Sequence, residues 1–142
     1  MSMEKSKVVL KEVKKSDCLF LYELLAERGH KINISHKKMP TYKQHIKFVM
    51  SKPYSKWYVV YYNDQKIGST YLSKQDEIGI HIKQNLDAGV HREVLKILMK
   101  KNPRKRYLTN INPKNQNAIK FFIGQGFTLI QYTYELIDNG RT

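Results

Sequence analysis

Cysteine is nearly missing: the 142 residues contain only Cys18. This excludes an internal disulfide and argues against a thiolate metal centre. Leu19, Leu21 and Leu25 around it mark a packed thiol rather than a nucleophile. Histidine is also sparse, with five residues at positions 30, 36, 45, 81 and 91 and no H-x-x-x-H spacing, so no metal is expected. No apolar run approaches the roughly 18 residues of a membrane span. The start MSMEKSKVVL lacks the apolar segment of a signal peptide, so a cytoplasmic protein with no membrane partner is expected. There is no repeat, low-complexity tract or internal linker, and 41% hydrophobic content suits one domain over residues 1–142.

Acidic residues are the remaining shortage. Twelve Asp and Glu against 26 Lys and Arg leave a formal charge of +14. A field of that sign attracts phosphates, nucleotides, nucleic acid or acidic membranes, and says nothing about fold. A solvated lysine-rich surface accounts for the same numbers.

What is present is a series of short periodic segments. Val8, Val9, Leu10 and Val13 suggest a first strand, followed by Ser16 and Asp17 as capping residues for a helix carrying Cys18, Leu21, Leu24 and Leu25, closed by Gly29. After the loop HKINISHKKMP, Pro40 and Thr41 start a second helix with Tyr42, Ile46, Val49 and Met50 on one face. WYVVYY, the turn NDQK and IGSTYL form a hairpin pattern, because aromatic and β-branched residues flank a polar turn. In EIGIHI, the residues Ile78, Ile80 and Ile82 share one face while Glu77, Gly79 and His81 share the other. A third helix carries Val90, Val94, Leu95 and Leu98 on one stripe and ends before Pro103. A short strand at Arg106–Ile111, a helix at Asn115–Gln125 and a final strand at Phe127–Leu136 complete the order β-α-α-β-β-β-α-β-α-β. That order predicts a mixed α/β domain with antiparallel hairpins, parallel pairing arising only at helix crossovers.

The order, ending in N-x-x-A-I-x-F-F-x-x-x-G-F from Asn115 to Phe127, resembles the GNAT superfamily of acyl-CoA-dependent N-acetyltransferases across Val8 to Leu136. The resemblance implies a mostly antiparallel sheet of six or seven strands flanked by about four helices. It implies acetyl-CoA as cosubstrate, held at the turn after the fourth strand, where backbone amides and a helix start form an anion site. The matching stretch is Leu86, Asp87, Ala88, Gly89, Val90 and His91, which keeps the central glycine of the family's R/Q-x-x-G-x-G/A signature. Leu86 stands for the basic or amide residue, Asp87 adds negative charge, and His91 replaces a small residue, while Arg92 and Lys96 offer charge-assisted contacts. Asn115 matches an asparagine near the pantetheine arm. Phe122 falls where many members place a proton-donating tyrosine, and phenylalanine cannot donate; packing accounts for Phe121 and Phe122 equally well.

Acetyl transfer needs a neutral amine, a base for its proton and donors for the carbonyl oxygen. The resemblance points to Glu77 as base. His81, on the same strand face, is the second candidate because imidazole titrates near neutrality. Either is equally explained as a strand residue with no chemical role. Backbone N–H groups near Ile82 and Lys83 are the expected oxygen donors. The loop NISHKKMP lies where family members build the acceptor pocket, making Ser35 and His36 candidate acceptor contacts. The same features resemble a subgroup acting on nucleotide-linked amino sugars, so the partner expected is a small-molecule amine, with a homodimer left open.

Two other readings stay open. The cluster Lys100, Lys101, Arg104, Lys105 and Arg106 fits a nucleic-acid-binding module, although no recognition motif accompanies it. The altered phosphate signature also fits a GNAT-like binding protein without catalysis.

Overall fold

The computed structural model describes residues 7–28, 39–83, 88–138 and 140. Five strands form one sheet in the order β1-β2-β3-β4-β5: β1 is Val8–Glu12, β2 Lys56–Tyr62, β3 Gln65–Leu72, β4 Glu77–Ile82 and β5 Leu108–Thr109. The first four pair antiparallel, and β5 joins β4 in parallel through Glu77↔Leu108 and Ile78↔Thr109. The helices are α1 at Cys18–Arg28, α2 at Tyr42–Met50, α3 at Ala88–Lys101 and α4 at Gln116–Gly124. A single 3-10 turn, Lys15–Asp17, leads into α1.

Local chemistry accounts for the boundaries. Asn63 and Asp64 both take positive φ, 50° and 67°, which is the primed turn whose twist matches a two-residue hairpin between β2 and β3. Thr41 and Gln44 form a reciprocal capping box at the start of α2, with bonds of 2.9 and 3.1 Å. Gly126, at φ 99°, ends α4: its N–H donates to the Ile123 carbonyl and that of Phe127 to the Phe122 carbonyl, each at 3.0 Å. This is a Schellman stop, sealed by Phe127 against Phe122 at 5.1 Å between ring centroids.

The two faces of the sheet differ. One carries Val8, Leu10, Tyr58, Val60, Leu72, Ile78 and Ile82, packed on the α3 stripe Val90, Val94, Leu95 and Leu98 and on Phe122 of α4. The 3.6-residue period of that stripe placed all four side chains in the core. The other face packs Trp57 against Cys18 and Leu21 of α1 and Val49 of α2, and burial pushes the Cys18 thiol's pKa up, as suits a packed cysteine.

Among the described residues the sheet has five strands rather than six or seven. The expected strand at Arg106–Ile111 contracts to Leu108–Thr109, and no strand of the sheet pairs with Phe127–Leu136. In α2, Tyr42 and Met50 are exposed while His45 and Val49 are buried, so the inward face is rotated from the expected one. No described helix is long and apolar enough to cross a membrane.

Candidate functional site

The main chain of β4 defines the site. In an antiparallel ladder, successive residues turn their N–H and C=O groups to opposite edges. The Ser73 N–H donates to the Glu77 carbonyl and the Lys83 N–H to the Ile67 carbonyl, both at 2.8 Å, so Glu77, Gly79, His81 and Lys83 face β3. Ile78, Ile80 and Ile82 therefore face β5. The Leu108 N–H bonds the Asp76 carbonyl at 3.0 Å and the Thr109 hydroxyl bonds the Ile78 carbonyl at 2.9 Å. Beyond Ile78↔Thr109 the strands no longer pair. The amides of Ile80 and Ile82 then point into a wedge between β4 and the chain after β5. Among the expected oxygen donors, Ile82 keeps that position, whereas Lys83 does not, because its N–H is spent on the ladder.

Glu77 lies where the wedge begins. Ser73, itself buried, accepts the Glu77 N–H at 3.0 Å and donates to Glu77 Oε1 at 3.1 Å. Asn110 Nδ2 donates to Oε2 at 2.9 Å. A half-buried carboxylate is thus fixed from both sides, by the β3–β4 turn and by the end of β5. Asp76 steadies that turn, with φ 63° and an ion pair to Arg104 Nε at 3.0 Å. Sequence reasoning missed Asn110; its one signal is its place just past a parallel strand.

His81 shares Glu77's face but sits four residues along, roughly 13 Å at strand rise. It pairs in register with Ser69. Between the two candidate bases lies Gly79, opposite Tyr71. A Cβ on Gly79 would overlap the Tyr71 ring, so the missing side chain is what lets the ring lie across β4. Tyr54 stacks on Tyr71 with centroids 4.0 Å apart and planes 6° apart, and Trp57 meets Tyr54 edge-on at 4.9 Å. Tyr71 is thus placed between Glu77 and His81 by cross-strand register.

Past Ile82, α3 begins at Ala88, with Gly89 and Arg92 exposed and Val90 buried in the core. The His91 ring meets Phe121 of α4 edge-to-face at 5.9 Å. Leu86 and Asp87, like Ser35 and His36, lie outside the described residues.

On α4, Asn115 is the N-cap: its side-chain oxygen accepts the Ala118 N–H at 3.2 Å. A role at a pantetheine arm would fall to its amide nitrogen. Phe122 is 8% exposed and packed between Phe121 and Phe127, in line with the packing reading. At the far end of β4, buried Asp17 holds Lys66 at 2.9 Å and also caps the Lys14 N–H at 2.8 Å. The hydrogen bond to Asp17 raises the Lys66 pKa, against a smaller effect of desolvation.

The fold as a whole is similar to that of known structures. A domain from Methanocaldococcus jannaschii superposes with TM-score 0.73 at 22% identity, over 92% of this chain and 94% of that one. The chain has the GNAT fold. A spermidine/spermine N-acetyltransferase from Vibrio cholerae matches at TM-score 0.66 and 13% identity, over 86% of this chain and 80% of that one. A putative acetyltransferase from Salmonella typhimurium, solved with acetyl-CoA, matches at 0.68 and 14%, over 87% and 80%. No family model and no curated protein matches the sequence. Within the GNAT fold, the β4–β5 wedge is the feature that sets this chain apart from an uninterrupted sheet. A separate cavity of about 540 Å³ lies at the other pole, lined by Lys11, Lys14, Lys56, Tyr58, Lys101 and Asn102. None of the predicted site residues borders it. Among the described residues, no group of His, Cys, Asp and Glu could hold a metal ion.

Proposed function

We propose that the protein transfers an acetyl group from acetyl-CoA to the primary amine of a small molecule. The observation that carries this is the wedge, whose Ile80 and Ile82 amides supply donors along β4 while α3 opens beside it with exposed Gly89 and Arg92. Acetyl-CoA fits such a site: a helix start with a positive dipole end suits the pyrophosphate, and strand amides suit the carbonyls of an extended arm. When bound, it supplies an activated acyl thioester.

Glu77 takes the amine proton, directly or through one water, as the amine nitrogen bonds to the acyl carbon. Its hydrogen bonds to Ser73 and Asn110 hold it for that step. A β4 amide stabilises charge developing on the acyl oxygen. Cleavage of the carbon–sulfur bond leaves a thiolate that needs a proton. Phe122 has none to give, and Tyr71, laid across Gly79, carries the hydroxyl for it. His81, on the same side-chain face, is the second candidate base.

An amino sugar on a nucleotide carrier is the acceptor we favour, since a chain of charge +14 suits two diphosphate-bearing ligands. The nucleic-acid reading is less favoured: Arg104 of the basic cluster is engaged by Asp76, and Lys100 and Lys101 sit in the last turn of α3, where they complement the helix dipole. The test is a thermal shift with acetyl-CoA, followed by thiol release with a panel of amines that includes amino sugars. Stabilisation together with amine-dependent thiol release is the expected result. No shift at millimolar acetyl-CoA overturns the proposal, and a shift with no thiol release for any amine leaves the non-catalytic reading.

A further inference from the structure

We propose that the cavity of about 540 Å³ between the end of β1, the start of β2 and the end of α3 is a second ligand site, built for a small polyhydroxylated phosphate such as a phosphorylated sugar. The inference stands independently of acetyl transfer. α3 spans 14 residues, about 21 Å, and separates this cavity from the wedge at its other end.

The rim carries the charge. Lys14, Lys56 and Lys101 border the space, and all three are exposed. Lys11 borders it too, but its ammonium is engaged over the Tyr61 ring at 4.6 Å. Glu12 is the one carboxylate on the wall, and Lys56 meets it at 3.8 Å. Three ammonium groups against one carboxylate leave +2 at the rim. That is the complement of a phosphate monoester, which carries about −1.5 to −2 at neutral pH.

What separates the cavity from an ordinary solvated lysine face is its floor. Tyr58 and Asn102 both line it, and each is only 5% exposed. Asn102 Nδ2 donates to the Leu98 carbonyl at 3.0 Å and to the Tyr58 hydroxyl at 3.2 Å. A carbonyl only accepts, so Leu98 fixes which end of the amide is nitrogen. Both amide protons are then spent, and Oδ1 is left as an acceptor. The Tyr58 oxygen has accepted from Asn102 and keeps its own proton, for which the described residues supply no acceptor. A buried donor and a buried acceptor without protein partners are costly until something completes them. A hydroxyl is both donor and acceptor, so one hydroxyl of a ligand can satisfy the pair.

The end of α3 would ordinarily repel an anion, because its last carbonyls carry the negative end of the helix dipole. Here those carbonyls are engaged: Leu98 accepts the Asn102 side chain, and the Tyr107 hydroxyl donates to the Asn102 carbonyl at 2.7 Å. The volume falls within the roughly 300–1,000 Å³ of small-molecule pockets and exceeds what one inorganic phosphate fills. The ring of Tyr58 is packed into the core, so the walls offer no aromatic platform for a nucleobase. A phosphate held at the lysine rim, with hydroxyls reaching Tyr58 and Asn102 below, uses every polar group the cavity presents.

The experiment is calorimetric titration of the full chain at about 0.15 M salt, with glucose 6-phosphate, ribose 5-phosphate, glycerol 3-phosphate and inorganic phosphate in turn. At least one of the three organic phosphates should bind about tenfold or more tighter than inorganic phosphate. No binding by any of them overturns the proposal, and equal binding by inorganic phosphate overturns the polyol assignment. The paired substitution Lys14→Gln with Lys101→Gln touches exposed residues only and should weaken binding by about tenfold. Lys43→Gln with Lys47→Gln, on exposed positions of α2, removes the same charge and should leave binding unchanged. Equal losses in the two pairs would assign the binding to overall charge and overturn the site. Tyr58→Phe, with circular dichroism to confirm folding, should lose the preference for the organic phosphate while retaining inorganic phosphate; a folded variant that keeps the preference overturns the role of the floor. Amide chemical-shift mapping of the wild type then locates the ligand. Changes at Val13, Lys14 and Asn102 are the expected result, and changes confined to Ile80, Ile82 and Gly89 place the ligand in the wedge and overturn the proposal.

Discussion

The two faces of β4 are one residue apart in sequence and opposite in purpose. Ile78 and Ile82 are buried against α3, in a core where Val60, Leu72, Val94 and Leu98 have no measurable exposure. Glu77, Gly79 and His81 look the other way, among Ser69, Tyr71 and Ser73, with polar groups held by hydrogen bonds. The first face gains stability by excluding water. The second keeps groups that are costly to bury and costly to leave unpaired, which is reasonable only where they serve a ligand. Stability and activity should therefore separate by face.

Glu77→Gln tests this most sharply. Glutamine keeps one acceptor oxygen for Asn110 or Ser73 and sets an NH2 against the other donor, so stability should fall by only about 1 kcal/mol while kcat falls by about 10²–10⁴-fold. Acetyl-CoA binding, followed by thermal shift, should persist; an undiminished rate would remove the carboxylate from the mechanism. On the opposite face, Leu98→Ala should cost about 2–5 kcal/mol, measured by urea denaturation, because a side chain with no exposure leaves a cavity. Its residual folded fraction should keep its turnover.

Gly79→Ala crosses the boundary between the two behaviours. The added methyl must displace the Tyr71 ring from its stack on Tyr54, at about 1–3 kcal/mol for overpacking. Turnover should drop while acetyl-CoA still binds, and an unchanged rate would show that Tyr71 has no part in the reaction. The smallest effect is expected at Asp17→Asn. Asparagine still caps Lys14 but loses the charge opposite Lys66, costing about 1 kcal/mol because Lys66 is partly solvated. The Lys66 pKa is raised in the folded state, so its contribution is complete below the ordinary lysine range and disappears as pH rises through the raised value. Melts of wild type and variant should thus differ by a constant amount at neutral pH and converge under strongly alkaline conditions.

The core face was legible in the sequence because its signals are local. Val90, Val94, Leu95 and Leu98 repeat with the helical period, and Ile78, Ile80 and Ile82 alternate with Glu77, Gly79 and His81. The site was legible only where it coincided with that alternation, as at Glu77. Tyr71 over Gly79 depends on register across a turn, and Asn110 depends on a parallel pairing made 33 residues away. Asn115 and Phe122 occupy the positions expected on the last helix, yet one oxygen caps that helix and one ring packs inside. Residue type fixed their places and left their contacts undetermined. The strand expected at Phe127–Leu136 shows the same limit: its alternation reads as a strand, yet no described strand pairs with it.

The wedge has one more implication. Its donors at Ile80 and Ile82 are peptide groups, which every residue but proline possesses. A receptor assembled from such groups is encoded by where two strands part company, so side chains around it can drift while the grip endures. Motif searches inspect the letters, whereas this grip is written in the spacing between lines.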